Sequence, residues 1–222
     1  MKKIILLVVV LLLCGCANTN FEIHSSLNTL FSNSEPCEYR QNNFTKYMDY
    51  YVPSDLLEDD FNNTSVTFSY NTALINMNIN VQNIINDRYY VGINMSDEGY
   101  IDESKVIFSS GGQFINANEI NTSFFVKLYQ INEYYFYILK TQDVSIYAKC
   151  LKQDLLEVGD KIFILAKTVI VDKELVLSDY MDKDVIDYEK KAIELFDTKM
   201  PESGIINDLI LNNEDEPIEE VE

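Results

Sequence analysis

Paired carboxylates are the side chains of this sequence that could do acid–base chemistry. Asp59 and Asp60 are adjacent, and Asp182 and Asp184 are two residues apart. Two carboxyl groups that face each other across a cleft can hydrolyse a glycosidic bond, one acting as an acid and the other as a base or nucleophile. A carboxylate-dependent glycan hydrolase is therefore one candidate function. The single histidine, His24, lies in a polar stretch without a catalytic partner, which excludes a Ser–His or Cys–His hydrolase.

A second candidate site is the stretch Asn94–Asp102. It has oxygen-bearing side chains at its first, third, fifth and ninth positions and Gly99 at its sixth, and in these respects it resembles an EF-hand calcium loop. Lys105 stands at the twelfth position, where such a loop has a bidentate glutamate. The alternatives are a calcium-dependent surface binding module and a plain glycine-containing turn.

Three pairs of adjacent tyrosines, Tyr50-Tyr51, Tyr89-Tyr90 and Tyr134-Tyr135, could form a stacking surface for a sugar or a peptide. Adjacent residues of a strand point to opposite faces of a sheet. We therefore expect one tyrosine of each pair to lie in the core.

The N-terminus has the charge and hydropathy pattern of an export signal. Lys2-Lys3 is followed by an unbroken apolar run from Ile4 to Leu13. This run is shorter than the roughly 20 apolar residues that a membrane-spanning helix needs. It ends in Leu13-Cys14-Gly15-Cys16, which resembles the lipobox of bacterial lipoproteins, with Cys14 where alanine or serine is more usual.

The resemblance to bacterial lipoproteins covers residues 1–16 and implies a location. Residues 1–15 would be removed as a signal peptide, and Cys16 would become the lipid-attachment residue, carrying a diacylglycerol through a thioether and fatty acids such as palmitate. Two acyl chains anchor a protein stably where one is marginal. The implied location is the extracytoplasmic face of the cell membrane. The alternatives for this segment are a buried N-terminal helix and an uncut signal anchor.

The charge of the chain limits its partners. The sequence has 17 basic and 36 acidic residues, a net charge of −19, and removal of residues 1–15 would leave 15 basic residues and a net charge of −21. A surface this acidic is repelled by nucleic acid and by anionic lipid head groups, so neither is expected as a partner. Beyond the two N-terminal cysteines, Cys37 and Cys150 remain. In an exported protein they could pair or stay free.

Alternation of apolar and polar residues predicts the first two strands, and a high content of β-branched and aromatic residues predicts the strands from residue 124 onward. Residues 65–70 and 75–81 alternate and read as a hairpin that turns near Asn71-Thr72, with asparagines on the exposed face. Val106–Phe108 is a brief strand, and Gly111-Gly112 marks a loop. Further strands are predicted at 124–129, 134–139, 144–150, 161–171 and 174–177.

Two helices are predicted, over 39–51, where Pro53 would follow, and over 183–199, where five apolar side chains share one face. The five are Val185, Tyr188, Ala192, Leu195 and Phe196.

These elements indicate an α+β fold that is mainly antiparallel β-sheet, covered by a C-terminal helix. The stretch Leu155–Ile162 resembles the turn that feeds a strand in OB-like barrels, so a small OB-like barrel is one form that the sheet could take. The predicted organisation is a signal peptide (1–15), a lipidated cysteine with a flexible tether (16–38), an N-terminal lobe with the hairpin (39–91), a sheet with its covering helix (92–200) and an acidic disordered tail (201–222).

The sequence favours a membrane-anchored extracytoplasmic lipoprotein that acts as a non-catalytic binding or envelope-assembly module. Its partner would be an envelope protein or a glycan. No catalytic residue, metal ligand or cofactor is assigned, and Cys16 is the one residue given a role. The glycan hydrolase and the calcium-dependent binding module are the alternatives.

Overall fold

Antiparallel strands make up most of the folded chain. A computed structural model describes residues 23–88 and 103–181. The strands of these ranges, in chain order, are β1 (Asn43–Phe44), β2 (Met48–Tyr50), β3 (Leu57–Phe61), β4 (Ser65–Tyr70), β5 (Ala73–Ile79), β6 (Val106–Ile115), β7 (Asn121–Ile131), β8 (Tyr134–Thr141), β9 (Val144–Leu151) and β10 (Ile170–Val171).

Seven of these strands form one sheet, in the order β3-β4-β5-β9-β8-β7-β6. It consists of two meanders, β3 to β5 and β6 to β9, which join where β5 pairs with β9. Strands from the predicted N-terminal lobe and from the predicted C-terminal sheet therefore lie in the same sheet. Within the described residues this sheet has two edges, β3 and β6, so it is not closed into a barrel.

The predicted hairpin is confirmed as β4 and β5. Tyr70 pairs with Ala73, which leaves Asn71 and Thr72 as the two turn residues. Asn71 has a φ of 50°, a left-handed conformation in which asparagine is enriched among non-glycine residues. The strands at 124–129, 134–139 and 144–150 are also confirmed, within β7, β8 and β9.

Four α-helices accompany the sheet within the described residues: α1 (residues 23–31), α2 (Val81–Arg88), α3 (Leu155–Thr168) and α4 (Lys173–Tyr180). Short 3₁₀ turns lie at Glu103–Lys105 and Lys152–Asp154. Helix α3 packs on β8 and β9 and buries Val158 and Ile162 completely. We call the side of the sheet that faces α3 the inner face and the opposite side the outer face.

The core lies between the inner face and helices α1 and α3. Phe163 of α3 is its aromatic centre, with ring centroids 5.3 Å from Phe31 of α1, 5.6 Å from Phe114 of β6 and 5.3 Å from Phe124 of β7. Helix α1 also buries Leu27, which is 1% exposed. Residues 23–31 fall within the predicted tether, yet they are helical and part of the core.

A second, three-stranded sheet has the order β1-β2-β10. The helix predicted over 39–51 is therefore wrong, since these residues contain β1 and β2. Tertiary pairing decides this outcome, because Met48 and Asp49 of β2 pair with Val171 and Ile170 of β10. A short segment takes the conformation of its pairing partners even where its local pattern is helical.

Four further sequence predictions are wrong. The barrel-type turn and the strand over 161–171 lie mostly in α3, and the strand over 174–177 lies in α4. Helix α4 begins after Asp172, whose side chain accepts a hydrogen bond from the Leu175 backbone N–H at 2.9 Å. Gly111 and Gly112 form part of β6 instead of a loop.

The fold class is α+β and mainly antiparallel β, as predicted. The predicted covering helix at 183–199 and the acidic tail at 201–222 lie outside the described residues. In the ranges 23–88 and 103–181, no helix combines the length and the hydrophobicity needed to cross a membrane.

Candidate functional site

A group of charged side chains surrounds Lys161 of α3. Its Nζ lies 2.6 Å from Oδ2 of Asp55 and 4.2 Å from the ring centroid of Tyr70. The Lys161 side chain is only 10% exposed, whereas that of Asp55 is 55% exposed. A buried ammonium group is costly unless it is paired, and the carboxylate together with the aromatic ring pairs it here.

Further hydrogen bonds connect the start of α3 to the β4–β5 hairpin. The Tyr70 hydroxyl donates to the Glu157 carboxylate. Asp154, which is 5% exposed, accepts from Asn71 Nδ2 at 3.1 Å and from Thr72 Oγ1 at 3.2 Å. We call these bonds, together with the Lys161–Asp55 pair, the helix clamp. Its groups are engaged with one another, so the clamp stabilises the packing of α3 and offers no poised nucleophile or base.

The clamp has a pH dependence that can be measured. The hydrogen bond from Lys161 lowers the pKa of Asp55, so the pair stabilises the fold above the unfolded-state pKa of about 4 and is lost as the pH falls through the lowered pKa. Water screens the pair at the exposed Asp55, and an asparagine oxygen and the Tyr70 ring would still face the Lys161 ammonium. We therefore expect Asp55→Asn to cost only about 1 kcal/mol of unfolding free energy at pH 7. Urea unfolding at pH 7 and pH 2.5 should show that this cost shrinks in acid.

A neutralised acid at the tip of the β7–β8 hairpin, Glu133→Gln, is the matched control, since Glu133 is exposed. It should leave the unfolding free energy unchanged at both pH values. An equal loss for Asp55→Asn at pH 7 and pH 2.5 would show that the ion pair does not contribute.

The two described cysteines, Cys37 and Cys150, are free thiols, so they do not form the disulfide that the sequence left open. Cys150 lies on β9 and is 1% exposed. Burial, with a smaller effect of the Asp154 charge, raises the pKa of its thiol to about 12. A thiol with this pKa carries almost no thiolate at neutral pH and is a poor nucleophile. Cys37 is only partly buried.

The two thiols should therefore differ in reactivity. At pH 8 we expect iodoacetamide to modify Cys37 at least about a hundredfold faster than Cys150, because alkylation needs an accessible thiolate. Peptide mapping by mass spectrometry after timed labelling measures both rates in one sample. In 6 M guanidinium the two rates should become similar, and a fast reaction at Cys150 in the native protein would contradict its burial.

The edge strand β3 carries one of the predicted carboxylate pairs. All five of its residues are exposed, and among the described strands it has a neighbour on one side only, β4. Asp59 accepts a hydrogen bond from Ser69 at 3.1 Å, and a β-bulge lies between Glu58 and Asp60. The other predicted acids, Asp182 and Asp184, lie outside the described residues.

Glu58 holds β3 against the smaller sheet. Its carboxylate accepts a hydrogen bond from the Tyr50 hydroxyl at 2.9 Å and another from Asn43 of β1. Burial and this bond raise the pKa of Tyr50. Three large apolar side chains of β1 and β3 are strongly exposed, with exposed fractions of 66% for Phe44, 66% for Leu57 and 65% for Phe61. This combination of an exposed edge strand and exposed apolar side chains has no local sequence signal, because edge position becomes known only from the sheet order.

The outer face of the sheet differs from the prediction. Asn76, expected on an exposed asparagine face, is only 4% exposed and donates to Ser65 at 3.2 Å and to Thr67 at 2.9 Å. Tyr134 and Tyr135 point to opposite faces, as predicted: Tyr135 belongs to the inner core and Tyr134 packs on the outer face.

The tyrosines near the smaller sheet include one stacked pair. The Tyr39 and Tyr51 rings lie 4.6 Å apart with an angle of 12° between their planes. Tyr39 is 46% exposed, whereas Tyr50, next to Tyr51, is fully buried. The pair Tyr89-Tyr90 lies outside the described residues.

The remaining predicted sites also fall outside the described ranges. These are the calcium-like stretch Asn94–Asp102 and the lipid-attachment residue Cys16. Within the described ranges, no group of three or more histidine, cysteine, aspartate or glutamate side chains is placed to hold a metal ion. No protein-family model matches the chain, and no curated protein is similar enough to it to count as a relative.

Proposed function

We propose that the protein is a lipoprotein held at the extracytoplasmic face of the cell membrane by a diacylglycerol on Cys16. The observation that carries this proposal is the N-terminal sequence: Lys2-Lys3, an apolar run and the lipobox-like Leu13-Cys14-Gly15-Cys16. The net charge of −19 supports a lipid as the anchor, because so acidic a surface gains nothing from anionic head groups.

We further propose that the folded part is a non-catalytic binding or assembly module for an envelope protein or a glycan. Two observations support it. The buried ionisable side chains of the helix clamp, Lys161 and Asp154, are both engaged. Lys161 pairs with Asp55, and Asp154 bonds the β4–β5 hairpin, so both stabilise the packing of α3. The exposed edge strand β3, with the apolar side chains beside it, provides a surface on which a partner could be bound.

Substitution of the anchor residue is the direct test. In cells fed an alkyne analogue of palmitate, the wild-type protein should become labelled and Cys16→Ala should lose the label completely, because the thioether needs this thiol. Cys14→Ala is the matched control, since it removes the neighbouring thiol and should retain the label. Labelling that persists in Cys16→Ala, or that disappears only in Cys14→Ala, would refute the assignment of Cys16.

Crosslinking in intact cells tests the binding role. A specific envelope protein recovered with the wild-type chain and lost with Cys16→Ala would support an assembly role at the membrane. Recovery of nothing beyond abundant bystanders would count against a protein partner and leave a glycan, which glycan arrays would detect.

A further inference from the structure

The edge of the large sheet at β3 has the geometry of a strand-addition site. Among the described strands, β3 is the last in the order of the large sheet, and its pairing partner, β4, lies on one side of it. All five residues of β3 are exposed. A strand at such an edge presents a row of backbone N–H and C=O groups to any extended segment that can approach. This backbone edge is the binding feature, and the side chains around it select what can bind.

Apolar side chains flank the edge on both faces of the sheet. Leu57 lies opposite Ser69, and Phe61 lies opposite Val66. Residues that lie opposite each other on paired strands point to the same face of the sheet. Val66 points to the inner face, and Ser69, three residues further along β4, points to the outer face. Leu57 and Phe61 are therefore exposed toward opposite faces. An added strand would cover both of them and bury apolar area that is now in water. The hydrogen bond between Asn43 and Glu58 places β1, with exposed Phe44, next to this edge.

The acidic side chains of β3 favour a positively charged partner over a negatively charged one. Glu58 is already engaged with Tyr50 and Asn43. One carboxylate oxygen of Asp59 accepts a hydrogen bond from Ser69 of β4, so Asp60 and the other oxygen of Asp59 are the acidic groups that an incoming strand would meet. A second copy of β3 is disfavoured, because pairing would set acids of both copies against each other. A strand with lysine or arginine near Asp59 and Asp60 would gain cross-strand ion pairs instead.

We propose that β3 binds an extended, basic segment of a partner protein as an added antiparallel or parallel strand. The backbone edge supplies main-chain hydrogen bonds, Leu57 and Phe61 supply apolar contact, and Asp59 and Asp60 select basic side chains. That this partner is met at the cell envelope rests on the proposed function; the strand pairing itself does not.

Purified full-length chain in detergent allows the test with defined probes. The probe is the fluorescent peptide Val-Lys-Val-Lys-Val-Lys. One comparison peptide has glutamate in place of lysine, and another has the same sequence with alternate backbone amides N-methylated. Anisotropy gives the affinities, and hydrogen exchange with mass spectrometry locates the protected segment. We expect the lysine peptide to bind, both comparison peptides to bind at least about tenfold more weakly, and protection to appear over residues 56–62.

Two double variants distinguish peptide binding at β3 from a general effect of the protein's net charge on peptide affinity. The double variant Asp59→Lys, Asp60→Lys should lower the affinity for the lysine peptide at least about tenfold, because it reverses the charge at the edge. Glu133→Lys with Glu174→Lys changes the net charge equally at two other exposed positions and should alter the affinity less than about twofold. Circular dichroism confirms that both variants fold.

Any of four results would overturn the proposal. These are no binding of the lysine peptide, equal binding of the N-methylated peptide, equal weakening by both double variants, and protection located away from β3. The lipid state of the same preparation is read from its intact mass. Peptide binding without a lipid on Cys16 would refute the anchor and leave the edge site standing, whereas a lipid without peptide binding would refute the edge site alone.

Discussion

Replacement of Phe163 by alanine should lower the free energy of unfolding by about 3–5 kcal/mol, the range seen when a buried phenylalanine is truncated. Phe163 is 4% exposed, and its ring meets those of Phe31, Phe114 and Phe124. These three belong to α1, β6 and β7, so the ring joins elements from both ends of the described chain. A cavity at this position would remove packing contacts with all three elements. Movement of one element alone could not fill it.

Urea unfolding followed by circular dichroism measures this loss. Leu156→Ala is the matched control, because Leu156 lies on the same helix but is 41% exposed. It should cost less than about 1 kcal/mol, since an exposed side chain leaves little cavity when truncated. A Phe163→Ala cost below that of Leu156→Ala would mean that Phe163 is not the aromatic centre of the core.

Replacement of Gly159 by leucine should cost about 3 kcal/mol. A Cβ at this position would lie 3.0 Å from the Tyr137 hydroxyl oxygen and 3.1 Å from Cδ2 of Leu30. The larger side chain would force α3 away from both the sheet and α1, which is an overpacking cost of about 1–3 kcal/mol. It would also displace the Tyr137 hydroxyl, which donates to the Leu155 carbonyl at 2.9 Å, a bond that contributes about 1 kcal/mol.

Gly159→Ala provides the graded comparison for thermal unfolding. Alanine gains about 1 kcal/mol of helix propensity over glycine, which offsets the close contact of its Cβ, so its stability should stay within about 1 kcal/mol of the wild type. If leucine is tolerated as well as alanine, α3 does not approach Tyr137 as closely as described.

Strands that are rich in β-branched and aromatic residues and separated by short polar turns could be predicted from the sequence. In β7, β8 and β9 one face of each strand is apolar over at least three positions, and Asn132-Glu133 separates β7 from β8. Local pattern and tertiary structure agree there, because each strand pairs with its neighbour in the chain.

Helix α3 shows why other elements could not be predicted in this way. Gly159-Asp160 looks like a turn, and the residues after it include isoleucine and phenylalanine, which favour strands. The spacing of Leu155, Val158, Ile162 and Leu165 is helical, and all four are buried on one side of α3. Gly159 fits inside the helix because Tyr137 and Leu30 approach too closely for a large side chain, a fact that only the packing reveals.

The two glycines of β6 also lie where neighbouring atoms approach closely. A Cβ on Gly111 would lie 3.3 Å from the Phe124 carbonyl oxygen, and one on Gly112 would lie 3.3 Å from the Phe124 ring. Glycine inside a strand often marks such a close approach, although in a sequence it resembles a loop. The helix clamp and the exposed edge at β3 likewise depend on contacts between distant segments, so no local pattern could identify them.

The pairing of β5 with β9 sets the order in which this chain can fold. The paired residues, such as Leu74 with Lys149 and Ile79 with Val144, are about 70 residues apart in the chain, while the other pairings in the large sheet join consecutive strands. Each meander can collapse locally and fast, but closing so long a loop is slow. During synthesis, the first meander therefore keeps β5 as an open edge until β9 has been made and can pair with it.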